Sequence, residues 1–133
     1  MILVSALAAS GESGGAGRKF PRSMRLLRHA DFERVYQQGR RHFSAHMTVF
    51  YLRREIGQGL RVGFTVGRAL GDAVDRNRMK RRLREAVRLQ RPANNLSVDV
   101  VINPKKSVLS VEFEDLAKEV ARAFEVVQQK TKT

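Results

Sequence analysis

Apolar residues recur along this chain at two spacings, and each spacing predicts a different kind of element. From Asp75 to Arg88, Met79, Leu83, Ala86 and Val87 fall at i, i+4, i+7 and i+8, one narrow stripe on a helix. That stretch holds no Gly or Pro and a single β-branched residue, Val87, so nothing in it opposes the helix. A second stripe, wider and more apolar, is formed by Phe113, Leu116, Ala117, Val120, Ala121, Phe124 and Val127, with Ser107 or Ser110 as the expected cap. A shorter helix is expected over Ala30–Gly39, with Asp31 and Glu33 in its first turn, Gly39 as its terminator and no Ser, Thr or Asn at its start.

The other spacing is alternation. In Met47–Leu52 the odd positions Met47, Val49 and Tyr51 share one face, and Thr48, Phe50 and Leu52 share the other. Arg40–Ser44 reads as a short strand before a turn at Ser44-Ala45-His46. Leu60–Val66 directs Val62, Phe64 and Val66 to a core, while Gly63 and Thr65 leave the opposite face shallow. It reads as the return strand of a hairpin with Met47–Leu52, turning at Gly57-Gln58-Gly59. Val98–Ile102 is a further strand, ended by Asn103-Pro104 and reached after a break at Pro92-Ala93-Asn94-Asn95. Strand, helix and strand make a crossover, so Val98–Ile102 should run parallel to a neighbour.

The resulting order, α-β-β-β-α-β-α, predicts an α+β fold: a single-domain α–β sandwich with one mixed sheet of about four strands and helices against it. The 133 residues suffice for one such domain, expected over 22–128. Residues 1–21 form a separate compositional zone, apolar and then Gly- and Ser-rich. They read as a flexible extension, or as a translation start placed too early; the positively charged opening of a signal peptide is missing. Residues 129–133 are expected to fray. No apolar run is long enough to span a bilayer as a helix, and no membrane partner is expected.

Charge changes the picture. Lys and Arg number 26 against 13 acids, a formal net charge of +13. The Asp75–Arg88 helix carries seven cations: Arg76, Arg78, Lys80, Arg81, Arg82, Arg84 and Arg88. They occupy nearly all of the circumference outside the apolar stripe, with Glu85 the only acid inside the run. A charge run is often just a solvated face, but such faces mix both signs. Here the signs are not mixed, and most of the cations are Arg, whose planar donors match phosphate oxygens. A nucleic acid is therefore the expected partner. Between Val111 and Glu125 there are five acids and two bases, so the last helix is structural and the binding face lies elsewhere.

Candidate chemistry is sparse. There is no Cys, which excludes disulfides, thiolate zinc sites and thiol catalysis. His29, His42 and His46 follow no metal-ligand spacing, and Asp72 and Asp75 read as helix-start acids. Phe32 and Tyr36, at i and i+4 beside Val35, admit two readings: core, or a surface on which unpaired bases stack.

Three stretches together resemble a known family. Asp31-Phe32 through Gly39, then Leu60-Arg61-Val62-Gly63, then Gly71 through Ala86 with its Ala73-Val74-Asp75-Arg76-Asn77-Arg78-Met79-Lys80-Arg81 core, are similar to the protein subunit of bacterial ribonuclease P. The resemblance covers roughly Met24 to Phe124. It implies a ribosomal-protein-like sandwich with a left-handed crossover, against the usual hand. It also implies a non-catalytic cofactor of an RNA-based endoribonuclease that removes the 5′ leader of precursor tRNA in the cytoplasm. In that family magnesium is bound mainly by the RNA components, and no obligate protein partner is implied. By position, Arg76, Asn77, Arg78, Lys80, Arg81, Arg82, Arg84 and Arg88 would hold the catalytic RNA. Phe32, Tyr36, Thr48, Phe50 and Arg68 would line a cleft for the single-stranded leader, which tips the aromatic pair towards function. The chain departs from the family in having Tyr36 where phenylalanine is common, and Gly67-Arg68-Ala69 with one cation fewer than usual.

On this reading the protein has no active site of its own and holds two polyanions together, so binding should depend steeply on salt. Phe32→Ala is expected to weaken leader-bearing precursor more than mature tRNA. The rival is a structural RNA-binding protein, ribosomal or chaperone-like, without a part in cleavage. A protein-only nuclease would need clustered acids that the sequence does not offer, and the layout is not a DNA-binding helix-turn-helix.

Overall fold

A computed structural model describes Leu3–Ser5, Arg25 and residues 28–55, 59–90 and 97–131. Gly57 and Gln58 of the expected turn, residues 92–95 of the expected break, and most of the 1–21 zone lie outside them. The elements are β1 (Leu3–Ser5), α1 (His29–Gln38), β2 (Arg40–Phe43), β3 (Met47–Arg53), β4 (Arg61–Thr65), α2 (Ala73–Leu89), β5 (Val98–Pro104) and α3 (Phe113–Lys130). Short 3-10 turns occupy Arg68–Leu70 and Lys106–Leu109.

The sheet runs β1-β4-β5-β3-β2. The expected α+β sandwich is present, with β5 parallel to β4 and antiparallel to β3. The expected hairpin of Met47–Leu52 with Leu60–Val66 is not: β5 lies between those strands, and β3 turns back on β2 instead. The physical reason is burial. All of β5 except Asn103 is buried, and a strand buried on both faces belongs at the centre, where helices cover both. A three-residue strand, β1, adds an edge beside β4 within the stretch expected to be an extension.

Alternation sorts the strand residues onto two faces. Met47, Val49, Tyr51, Val62, Phe64, Val100 and Ile102 point to one side and join the buried stripes of α2 and α3 in the main core. The α2 residues there are Met79, Leu83, Ala86 and Val87, the stripe read from the sequence. On the other side α1 seats Phe32 and Val35 on Val101, with Tyr36, Phe50 and Leu52 partly buried around them. Gly39 ends α1 for reasons of space: its N–H donates to Val35 O at 2.8 Å, and a Cβ would come within 2.6 Å of Tyr51 O. Neither serine caps α3. Glu112 holds that position, and Ser107 sits in the preceding 3-10 turn with its hydroxyl on His46 Nδ1 at 2.7 Å. α3 continues to Lys130, through residues expected to fray, and Thr131 closes on Val127 O.

Candidate nucleic-acid interface

The basic helix starts at a defined point. Gly71 has φ of 143°, a conformation that favours glycine, and the Asp72 carboxylate then accepts from Asp75 N–H at 2.8 Å as the N-cap. With the apolar stripe of α2 buried, the cations divide. Asn77, Arg78 and Arg81 are exposed. Arg76, Lys80 and Arg84 form a half-buried row at i, i+4 and i+8. Burial, and then the charges of Arg76 and Arg84, push the Lys80 ammonium below its ordinary pKa. Such a row is strained by its own charge and eased by an anion.

Two of the expected RNA-binding residues are engaged within the protein. Arg82 donates to Val111 O, and its guanidinium lies 6.0 Å from the Phe113 ring centre, so it ties α2 to the start of α3. One end of a guanidinium expected to meet phosphate is therefore held by the start of α3. Arg88 is bound by Glu85, with Nε to Oε1 at 3.2 Å, and that hydrogen bond is the main reason the Glu85 carboxyl sits below its ordinary range.

The second feature is a cleft on the α1 side of the sheet. Tyr36 projects from α1 across it. Its hydroxyl donates to Asn103 Oδ1 at 2.9 Å and lies 2.5 Å from Thr65 Oγ1, which can donate to it in return. Burial raises the Tyr36 pKa above its ordinary value, opposed by these two hydrogen bonds. The Phe50 ring meets Tyr36 edge to face at 4.8 Å, and the Arg41 guanidinium stands 5.6 Å from its centre. Beyond Tyr36 the face opens into a cavity of about 690 Å³, whose lining includes Thr48, Thr65, Asn103, Arg68, Leu70 and Lys105. Thr48 and Arg68 are thus brought together on one cavity. Arg68 opens the 3-10 turn that leads, through Gly71, into α2.

Phe32 does not have the role expected of it. It is 1% exposed and packs with Val35 and Val101, so its ring has no free side for a base. Sequence reasoning also missed Thr65, Asn103 and Lys105. The basic pair Lys105-Lys106 directly after the strand-ending Asn103-Pro104 was the available signal for the last.

Two acids hold α1 over the sheet. Asp99, 1% exposed, takes Arg61 through two hydrogen bonds of 2.8 and 2.7 Å and also meets Arg54 at 3.3 Å. Arg61 reaches on to Asp31 of α1 at 3.4 Å, and Asp31 is paired with Arg34 at 2.5 Å. These carboxylates are saturated by guanidinium groups. Among the described residues no group of three or more His, Asp or Glu side chains could hold a metal ion. No described helix is long and apolar enough to cross a membrane.

Comparison with known proteins agrees with this layout. The Ribonuclease P family model matches residues 20–128. The ribonuclease P protein component of Symbiobacterium thermophilum is 40% identical over 104 residues, 78% of this chain and 90% of that protein. That of Citrifermentans bemidjiense is 37% identical over 111 residues, 84% of this chain and 94% of its own. Among solved structures, the RNase P protein of Staphylococcus aureus superposes with a TM-score of 0.66 at 21% identity, covering 77% of this chain and 94% of that one. The Thermotoga maritima protein gives 0.62 at 25% identity, covering 74% and 92%. The strands, the basic helix and the extent of these matches lead to one conclusion: the chain belongs to the ribonuclease P protein family.

Proposed function

We propose that, as the protein component of a ribonuclease P, this chain binds the catalytic RNA through α2 and holds the single-stranded 5′ leader of precursor tRNA in the cleft beside α1. The observation that carries this reading is the pairing of two cationic surfaces. The α2 row and the Arg68–Lys105 cleft are joined by the short segment 68–72, and none of the described residues lining the cavity is an acid. Arg76, Asn77, Arg78, Lys80, Arg81 and Arg84 meet the RNA subunit; Tyr36, Thr48, Phe50 and Arg68 meet the leader. Placing cations between two polyanions lowers their mutual repulsion. Stacking and backbone contacts in the cleft read the leader without demanding a sequence. The cleavage chemistry, with its magnesium ions, belongs to the RNA, and the complex works in the cytoplasm. The rival reading as a structural RNA-binding protein is not favoured by the family match.

The test is single-turnover cleavage of a precursor tRNA by a bacterial ribonuclease P RNA at low magnesium, with and without this protein. Strong stimulation is expected, and Phe50→Ala should weaken binding of precursor about tenfold, the scale of one lost base stack, while sparing mature tRNA. Tight RNA binding without stimulation would return the structural reading to first place.

A further inference from the structure

Phe43, at 70%, is the most exposed large apolar side chain among the described residues. A single exposed ring is ordinary on a protein surface. This one is set apart by what shares its face. Residues directly opposite in an antiparallel pair project to the same side, and β2 places Phe43 opposite Thr48 and Arg41 opposite Phe50. The Arg41 guanidinium over the Phe50 ring agrees with that register.

Thr48 is in turn opposite Asn103, and Thr65 lies one residue beyond the Phe64–Ile102 pair. Phe43, Thr48, Asn103 and Thr65 therefore form one row across four strands, about 14 Å from end to end at the usual strand spacing. The last three line the cavity; Phe43 continues the row past it onto the edge strand. Neither the row nor the cavity lining contains an acid, and Arg41, Arg68 and Lys105 stand around them.

We propose that β2 is a second nucleotide-stacking site: Phe43 stacks on an unpaired base of the RNA strand that occupies the cleft, and Arg41 contacts its phosphate. An exposed aromatic beside a guanidinium, next to a cavity whose described lining holds no acid, suits single-stranded RNA. A second copy of this chain pairing along β2 is disfavoured, because Arg40 and Arg41 would bring like charges together across the new edge. The inference rests on the cleft holding the leader, and adds that the leader's path extends over β2.

The experiment measures affinity of the reconstituted holoenzyme for precursor tRNAs carrying a nested series of leader lengths, and for mature tRNA. Phe43→Ala should lose about tenfold in affinity, one base stack, only for leaders above a threshold length. Phe43→Tyr should restore it, and Arg41→Gln should lose affinity at a similar threshold. Because Phe43 is exposed, unchanged thermal melting is expected for its variants. Wild-type affinity at every leader length, an equal loss for mature tRNA, or a Phe43-dependent dimer of the free protein would each overturn the proposal. Phe50→Ala is the separating control. If it discriminates precursor from mature tRNA and Phe43→Ala does not, only the β2 site fails; if neither does, the cleft reading fails with it.

Discussion

The two faces of the sheet are built from the same strands, yet they have been put to different uses. On the α2–α3 side Met47, Val49, Tyr51, Val62, Phe64, Val98, Val100 and Ile102 join the helices in one continuous buried cluster. On the α1 side a single ten-residue helix covers only part of the sheet, and the buried cluster shrinks to Phe32, Val35 and Val101. What α1 leaves uncovered carries hydroxyls, an amide, aromatic edges and cations. Stability comes from the face that is fully covered. The candidate binding site lies on the face that is not, as expected if a site needs polar groups that a packed core would have to exclude.

The largest expected effect tests the covered face. Phe64→Ala removes a fully buried ring and should cost about 3–5 kcal/mol in urea unfolding, while Phe50→Ala should cost well under half of that. Similar losses for both would erase the distinction between the faces.

A smaller effect tests the open face. Tyr36→Phe deletes two hydrogen bonds and should cost about 1–3 kcal/mol, near the low end if water fills in. The same variant carries a pH signature. The Tyr36 phenol has a raised pKa in the folded protein, so the unfolded chain loses its proton first as pH rises. Its contribution is therefore intact below the unfolded value near 10.0 and is lost as pH climbs through the folded value. Wild type should lose more stability than Tyr36→Phe on going from neutral to strongly alkaline pH. Parallel melting curves would show that the hydroxyl is not held as described.

The smallest effect has the opposite sign. Lys80 stands between Arg76 and Arg84, and like charges at i, i+4 cost about 0.2–0.5 kcal/mol per pair. Lys80→Gln should therefore stabilise the free protein by about 0.4–1 kcal/mol in thermal melts, while lowering the slope of log affinity for the catalytic RNA against log salt by about 1. Loss of both stability and affinity would make Lys80 a structural residue.

What was legible in the sequence follows a simple division. Local periodicity exposed the α2 stripe and the faces of β3 and β4, because side chains within one element obey fixed geometry. Pairing between strands was less legible. Nearness along the chain favoured a β3–β4 hairpin, whereas the burial of β5 on both faces decided the order. The family resemblance put Tyr36, Thr48, Phe50 and Arg68 in one cleft, and they lie in or beside the cavity on the α1 side. It misjudged Phe32, since two aromatics one helical turn apart look alike until the sheet beneath them is known: one is sealed, and the other reaches open ground. Arg82 was indistinguishable from its neighbours in the sequence, because what engages it is a carbonyl and a ring at the start of α3.

The central place of β5 has a consequence for how the protein is made. β5 is the last strand in the chain, yet it separates β4 from β3 and alone joins the two halves of the sheet. It supplies Asn103 and Pro104 to the cleft, Val101 to the seat of α1, and Asp99 to the arginines that anchor that helix. A ribosome that has delivered α1, β2, β3, β4 and the whole of α2 has thus delivered most of the cationic surface without the framework that positions it. The basic helix is synthesised before the sheet that it packs against can close, and the cleft comes into being only with the final third of the chain.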